Sequence, residues 1–166
     1  MDYYIDNMTP EDWEEVAKVY LEGINTGVAT FQTVVPSWEE WNNCHIKPCR
    51  LVVRSGSKIL GWSALSATSS RCVYAGVAEV SIYIGIESRG KGIGTTLLNN
   101  MIKDSEEEGF WTLQSGIMKE NAASIALHKN CGFRQIGFKE KVGRTSNGEW
   151  HDVVLMERRS KIIGVN

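Results

Sequence analysis

Between Gly85 and Gly94 the chain reads Gly-Ile-Glu-Ser-Arg-Gly-Lys-Gly-Ile-Gly, with glycines at alternate positions 90, 92 and 94. What flanks this segment is equally specific. Val77 to Gly85 is rich in Val, Ile and Tyr, the composition of a central strand. From Thr95 the residues Leu97, Leu98, Met101, Ile102 and Ser105 follow helical spacing until Gly109 ends the run. The unit is strand, glycine loop, helix, and it commits the chain to an α/β (α+β) core.

Such a loop suits a phosphate, but two familiar patterns fail. The segment from Gly85 to Gly90-Lys91 matches a P-loop until the position that needs a Ser or Thr hydroxyl for magnesium, where Gly92 has no side chain. The dinucleotide fingerprint G-x-G-x-x-G is broken by the alternate spacing. What remains is a set of backbone N–H groups freed by glycines, a helix N-terminus behind them, and Arg89 and Lys91 beside them. That is a seat for a pyrophosphate, and it implies an anhydride cofactor. The plainer reading is a glycine-rich turn with Arg89 and Lys91 merely solvated.

Thr9-Pro10-Glu11-Asp12 puts a cap, a proline and two acids where a helix starts. Trp13, Val16, Ala17, Tyr20 and Ile24 continue it as one apolar stripe. Ser37 and Glu40 form a capping box for a short helix carrying Trp38 and Trp41, with Gly27 to Pro36 as a loop before it. Arg50 to Arg54 and Ile59 to Ala67 are β-prone runs joined by the turn Ser55-Gly56-Ser57-Lys58. Beyond Gly109 come a strand at Trp111 to Met118, a helix at Asn121 to Asn130, and strands at Phe133 to Val142 and Trp150 to Arg158 around Asn147-Gly148. A short strand at Tyr3 to Asp6 precedes them all. With 166 residues and no repeat or linker, residues 1–166 read as a single domain.

Composition narrows the partners. Lys and Arg number 18 against 20 Asp and Glu, a net charge of −2, which lacks the positive field that nucleic-acid binding uses. No apolar run approaches the ~18 residues that cross a bilayer, so no membrane partner is expected and a cytoplasmic location is the default. The four cysteines, Cys44, Cys49, Cys72 and Cys131, are too sparse for a disulfide scaffold and are expected as thiols. Cys44-His45 and Cys49 lack a second ligand pair, so no metal is expected.

In Arg89, Gly92 and Gly94 the loop resembles the acetyl-CoA signature of the Gcn5-related N-acetyltransferases: Arg or Gln, two residues, Gly, one residue, then Gly or Ala. A second signature of that family is similar to the run from Glu120-Asn121-Ala122-Ala123-Ser124 through His128 to Gly132-Phe133. A closer resemblance, spanning nearly the whole chain, is to the phosphinothricin and methionine sulfoximine acetyltransferase branch. It rests on Thr30-Phe31-Gln32-Thr33, Glu79-Val80-Ser81-Ile82-Tyr83, and Gly148-Glu149-Trp150-His151-Asp152-Val153. The resemblance implies a mixed, twisted sheet of about seven strands, splayed between the fourth and fifth and flanked by about four helices. Acetyl-CoA would enter the V between Val77–Gly85 and Trp111–Met118.

An alkyl ammonium with pKa near ~10 must lose a proton before it attacks a thioester. Glu79 occupies the motif where the branch carries its catalytic glutamate, and partial burial would favour its taking that proton; the alternative is a surface ion pair. Where many relatives place a tyrosine acid, this chain has His128, as acid or as a wall of the amine site; the alternative is a helix histidine bonded locally. Asn121, Ser124 and His128 share one helical face. By the resemblance, the cofactor would meet the amides of Ile82, Tyr83 and Ile84, the loop Arg89, Gly90, Lys91, Gly92, Ile93, Gly94 and Thr95, and the side chains of Asn121 and Ser124.

On the acceptor side the resemblance assigns Phe31 and Thr33 to a loop over the substrate, Arg71 and Tyr74 to its anionic groups, and Trp150 and His151 to the pocket's closure from the last hairpin or from a dimer mate. Core packing is the alternative for Trp150. Arg71 suggests a small-molecule amine bearing a carboxylate, since arginine offers a bidentate fork. The branch often has a lysine two residues earlier, where Ser69 stands here. The reading is an acetyl-CoA-dependent N-acetyltransferase acting on a small amino acid or analogue, a homodimer like its relatives. A protein N-terminus or a polyamine as acceptor, and a non-catalytic acetyl-CoA sensor, are the competing readings.

Overall fold

The computed structural model describes residues 2–166. Seven strands form one sheet in the order β1-β2-β3-β4-β5-β7-β6. They are β1 (Tyr4–Asn7), β2 (Leu51–Ser55), β3 (Lys58–Ala67), β4 (Val77–Ile84), β5 (Thr112–Met118), β6 (Arg134–Arg144) and β7 (Trp150–Arg159). Four helices accompany them: α1 (Trp13–Asn25), α2 (Trp38–Cys44), α3 (Ile93–Glu107) and α4 (Ala122–Asn130). The order of elements is the expected one, with boundaries shifted by a residue or two.

Every neighbouring pair of strands is antiparallel except β4 and β5. Those two run parallel and pair only through Val77↔Thr112, Ala78↔Leu113 and Glu79↔Gln114. Beyond Glu79 they diverge, which is the expected splay. The pairing is anchored at its start by Gly76, whose carbonyl accepts from the amides of Trp111 (2.9 Å) and Thr112 (3.2 Å). Only glycine fits there, since a Cβ on residue 76 would lie 2.0 Å from the Trp111 ring.

Each face of the sheet has its own core. Leu97, Leu98 and Met101 of α3 pack with Leu51, Val53, Leu65, Val80 and Leu113. On the opposite face Val16 and Tyr20 of α1 and Trp41 of α2 pack with Val52, Trp62 and Ala64. Val52 and its neighbours Leu51 and Val53 thus point to opposite layers, as the strand period requires. Among the described residues, no helix is long and apolar enough to cross a membrane.

Thr9 to Asp12 begin with a 3-10 turn at Pro10–Asp12, and α1 follows from Trp13. The turn is fixed by Asp12, whose carboxylate accepts from the Thr9 amide (2.9 Å) and from two Arg54 nitrogens at 2.8 and 3.0 Å. The hydrogen bond from Arg54 is the main reason that the Asp12 pKa lies below its ordinary value, against the opposing effect of burial. A depressed carboxyl stabilises the fold above the unfolded pKa near ~3.9, and that contribution is lost as pH falls through the lower folded value. Asp12→Asn is expected to cost about 2 kcal/mol, less than a fully buried pair because Asp6 still holds Arg54. Thermal melting from pH 7 to pH 2.5 checks it: the variant melts lower at neutral pH, and the gap closes in acid.

Candidate active site

The glycine loop bends through left-handed backbone at Gly90 (φ 71°) and Gly92 (φ 77°). Gly92 caps α3 and has no side chain to occupy the helix's first amides, so those donors are open to a ligand. Because the cap sits at Gly92, α3 starts at Ile93 rather than Thr95. Gly94 serves packing: a Cβ there would stand 3.3 Å from Leu127 and 3.6 Å from Ile84. Arg89 and Lys91 are exposed but tethered, with Arg89 Nε donating to the Ile84 carbonyl (3.0 Å) and Lys91 Nζ to the Glu87 carbonyl (2.6 Å).

A cavity of about 420 Å³ runs from this loop along β4. Ile82, Tyr83, Ile84, Arg89, Gly90, Gly92, Gly94, Thr95, Asn121 and Ser124 all line it. An adjoining cavity of about 360 Å³ lies in the fork between β4 and β5 and is lined by Glu79, Ser81, Phe31, His45, Ser115 and His128 among others. Ala29, Ile82, Tyr83, Asn121 and Ser124 border both cavities. Taken together as one channel, the two have a helix N-terminus and Arg89 at the outer end and Glu79 at the inner. Glu79 is the only Asp, Glu, Lys or Arg lining the inner cavity. An ammonium is favoured at that end and an anion at the other.

The inner walls are held by short-range bonds. Asn121 caps α4 by accepting from the Ser124 amide (3.2 Å). His128 Nδ1 lies 2.7 Å from the Ser124 carbonyl and must donate to it, so Nε2 carries a lone pair; that atom is buried without a partner. Burial lowers the His128 pKa, keeping the ring neutral. Phe31 is wedged between Gly143 and His151: a Cβ on residue 143 would lie 2.5 Å from its ring, and the His151 ring stands edge-on at 6.3 Å. His151 Nδ1 is in turn 3.1 Å from Glu120 Oε2.

Several of these side chains lie otherwise than the motifs imply. Glu79 is exposed rather than partly buried, because the strand pairing ends at its position and leaves the fork open above it. Ile93 is buried in the α3 core, since helical periodicity turns its side chain toward the sheet. Lys91 does not line the channel, its ammonium being drawn back to Glu87. Thr33 is exposed beyond the loop that Phe31 anchors and does not line the cavity. Arg71 and Tyr74 lie on the turn before β4, the guanidinium 5.5 Å from the Tyr74 ring. Tyr74 lines a separate depression with Val77 and Gln114, past the end of the fork. Trp150 is 56% exposed and near Arg144, whereas His151, the other residue expected to close the pocket, faces the other way and borders Phe31.

Other cavity residues are not evident from the motifs. Tyr20 reads as an ordinary member of the α1 stripe, and His45 as half of an incomplete metal pair. Ser115, next to Gly116 inside β5, is a buried polar residue that lines the cavity. Four free cysteines complete the inventory of reactive groups, Cys44 and Cys72 exposed and Cys49 and Cys131 buried. Burial pushes the Cys49 thiol up to about 12.

The profile of the acetyltransferase (GNAT) family matches residues 13–133. A phosphinothricin N-acetyltransferase of Alcaligenes faecalis is 32% identical over 154 residues, 89% of this chain and 78% of that protein. A protein of the same description from Streptomyces coelicolor is 30% identical, over 89% of this chain and 91% of its own length. Among solved structures, a phosphinothricin acetyltransferase from Sinorhizobium meliloti in complex with AcCoA superposes with a TM-score of 0.87 at 27% identity, covering 100% of this chain and 92% of that one. A ribosomal-protein-alanine N-acetyltransferase from Brucella melitensis reaches 0.86, also at 27% identity, over 95% of this chain and 99% of that one.

Proposed function

We propose, from the premise that this chain belongs to the acetyltransferase (GNAT) family, that its acyl acceptor is the amino group of a small amino acid or analogue of the phosphinothricin or methionine sulfoximine type. The chain is an acetyl-CoA-dependent N-acetyltransferase. The observation that carries the acceptor reading is the channel's polarity: anion-binding amides at one end, and at the other a single carboxylate for a protonated amine.

Acetyl-CoA supplies an activated carbonyl, and the residues around the channel fit it. The amides at Gly92 and the start of α3 would hold the pyrophosphate, with Arg89 beside them. The β5-facing edge of β4 from Val80 onward has no strand partner. Its backbone at Ile82 to Ile84 would bond the pantetheine as an added strand, with Asn121 and Ser124 opposite. Glu79 would take the proton from the acceptor ammonium, directly or through a water, so that the nitrogen can attack. His128, neutral and with a bare Nε2, would shape the amine site.

Phe31 would cover the acceptor, and Arg71 with Tyr74, which lie outside the inner cavity on the turn before β4, would take its carboxylate. The reading also takes residues 1–166 as one catalytic domain that pairs as a homodimer. Exposed Ile136, Phe138 and Val142 on the edge strand β6, with Trp150 beside them, support that pairing.

A thiol-release assay tests the acceptor class. The panel is methionine sulfoximine, methionine sulfone, phosphinothricin, ordinary amino acids and spermidine. Preference for spermidine, or release with none of them, overturns the reading. Arg71→Ala is expected to raise KM for amino-acid acceptors about tenfold, the order of one lost charged hydrogen bond, while simple amines are little affected. Equal effects on both would remove Arg71 from carboxylate recognition.

A further inference from the structure

His45 ends α2, and its ring lies flat on Trp41, centroids 4.2 Å apart, with its edge toward Trp62. Nδ1 is 2.7 Å from the Trp41 carbonyl. A carbonyl can only accept, so Nδ1 carries the hydrogen and Nε2 presents a lone pair. Among the described residues no group bonds Nε2, and His45 lines the same cavity as Glu79. The helix alone cannot aim the ring, because α2 is short and its chain turns extended at His45 (φ −117°, ψ 145°).

Arg50 does the aiming. It is buried, and its donors bond the carbonyls of Ile46 (2.8 Å), Asn42 (3.0 Å) and His45 (2.9 Å) and the Asn42 side chain (2.6 Å). Its guanidinium also stands 5.1 Å from the Trp41 ring. A buried cation is expensive to keep, and among the described residues this one pairs with no carboxylate. Its hydrogen bonds go instead to the segment that carries His45, and the ring it faces is the one on which His45 stacks.

We propose that His45 binds the acceptor, its Nε2 accepting a hydrogen bond from the attacking amine, and that Arg50 is the positioning residue that aims it. This rests on the acyl-transfer reading of the channel and extends it. An amine that has given one proton to Glu79 still has N–H bonds, and on leaving water for the cavity wall these need partners. A bond from one of them to Nε2 fixes the direction of the nitrogen lone pair. Burial, with the nearby Arg50 charge, lowers the His45 pKa and keeps the lone pair available at neutral pH.

The test uses ethylamine as a minimal amine probe, titrated into the full-length protein with coenzyme A bound while ring nitrogens are followed by 15N spectroscopy. The His45 Nε2 signal is expected to move saturably; an unmoved signal overturns the proposal whatever the natural acceptor is. Thiol release with methionine sulfone supplies the second arm. His45→Phe keeps the stacked ring and is expected to raise the amine KM about tenfold with the acetyl-CoA KM within about twofold, and His45→Gln to recover part of the loss. A wild-type amine KM in folded His45→Phe overturns it. Arg50→Lys should reproduce the amine effect; an Arg50→Lys protein that only melts earlier overturns the positioning role. A moving Nε2 signal without thiol release from any panel amine supports His45 and refutes the acceptor class.

Discussion

Glu79→Gln is expected to lower kcat at neutral pH by about two to three orders of magnitude, the usual contribution of a positioned base. Glutamine has the same shape but cannot take a proton. The channel's outer end is untouched, since Glu79 does not line the cavity that runs from the glycine loop, so the dissociation constant for acetyl-CoA stays within about twofold. The deficit should also depend on pH. As the solution approaches the ~10 of an alkyl ammonium, more acceptor arrives already deprotonated and the variant regains rate relative to wild type. A pH series of kcat/KM for both proteins decides it: unchanged turnover at pH 7 removes Glu79 as the base.

Gly92→Val is the second large effect. Residue 92 has φ 77° and nothing within 4 Å of where its Cβ would stand. The protein therefore has room for a side chain, and the two penalties fall elsewhere. A β-branched residue in left-handed backbone costs of order 1–3 kcal/mol, and its methyl groups would occupy the space in front of the α3 amides, where the pyrophosphate is to sit. We expect acetyl-CoA affinity to fall by at least about a hundredfold, past the strain alone, because the pyrophosphate would also lose its hydrogen bonds to those amides. Calorimetry with coenzyme A checks it, with melting of the free protein as control. Normal affinity in a folded variant would contradict the loop assignment.

The parts of this molecule that were legible in its sequence are those fixed by backbone chemistry. Alternating glycines need positive φ and a bare helix cap, and Gly90 and Gly92 have them. Ser37 and Glu40 make their reciprocal cap, with Ser37 N 2.8 Å from the Glu40 carboxylate. Side-chain direction was harder to read. Motif order gives the chain position of Arg71 and Trp150 but not where they point, and both lie outside the inner cavity of their own chain. Glu79 sits where expected along β4, yet its exposure depends on where β5 parts from it, and the last β5 residue to pair there, Gln114, lies 35 positions further along the chain. His45 was hidden for the same reason: its role depends on Arg50, Trp41 and a cavity assembled from β4, β5 and α4.

The brief contact between β4 and β5 has a mechanical corollary. Two blades joined at one end by three residue pairs, and open at the other, gain stiffness from whatever fills the gap. A ligand bonded along β4 becomes a strut of the sheet, and its binding free energy adds to resistance against unfolding. Turnover then removes and replaces a structural member in every cycle, and the empty protein between cycles is the form most exposed to heat and proteases.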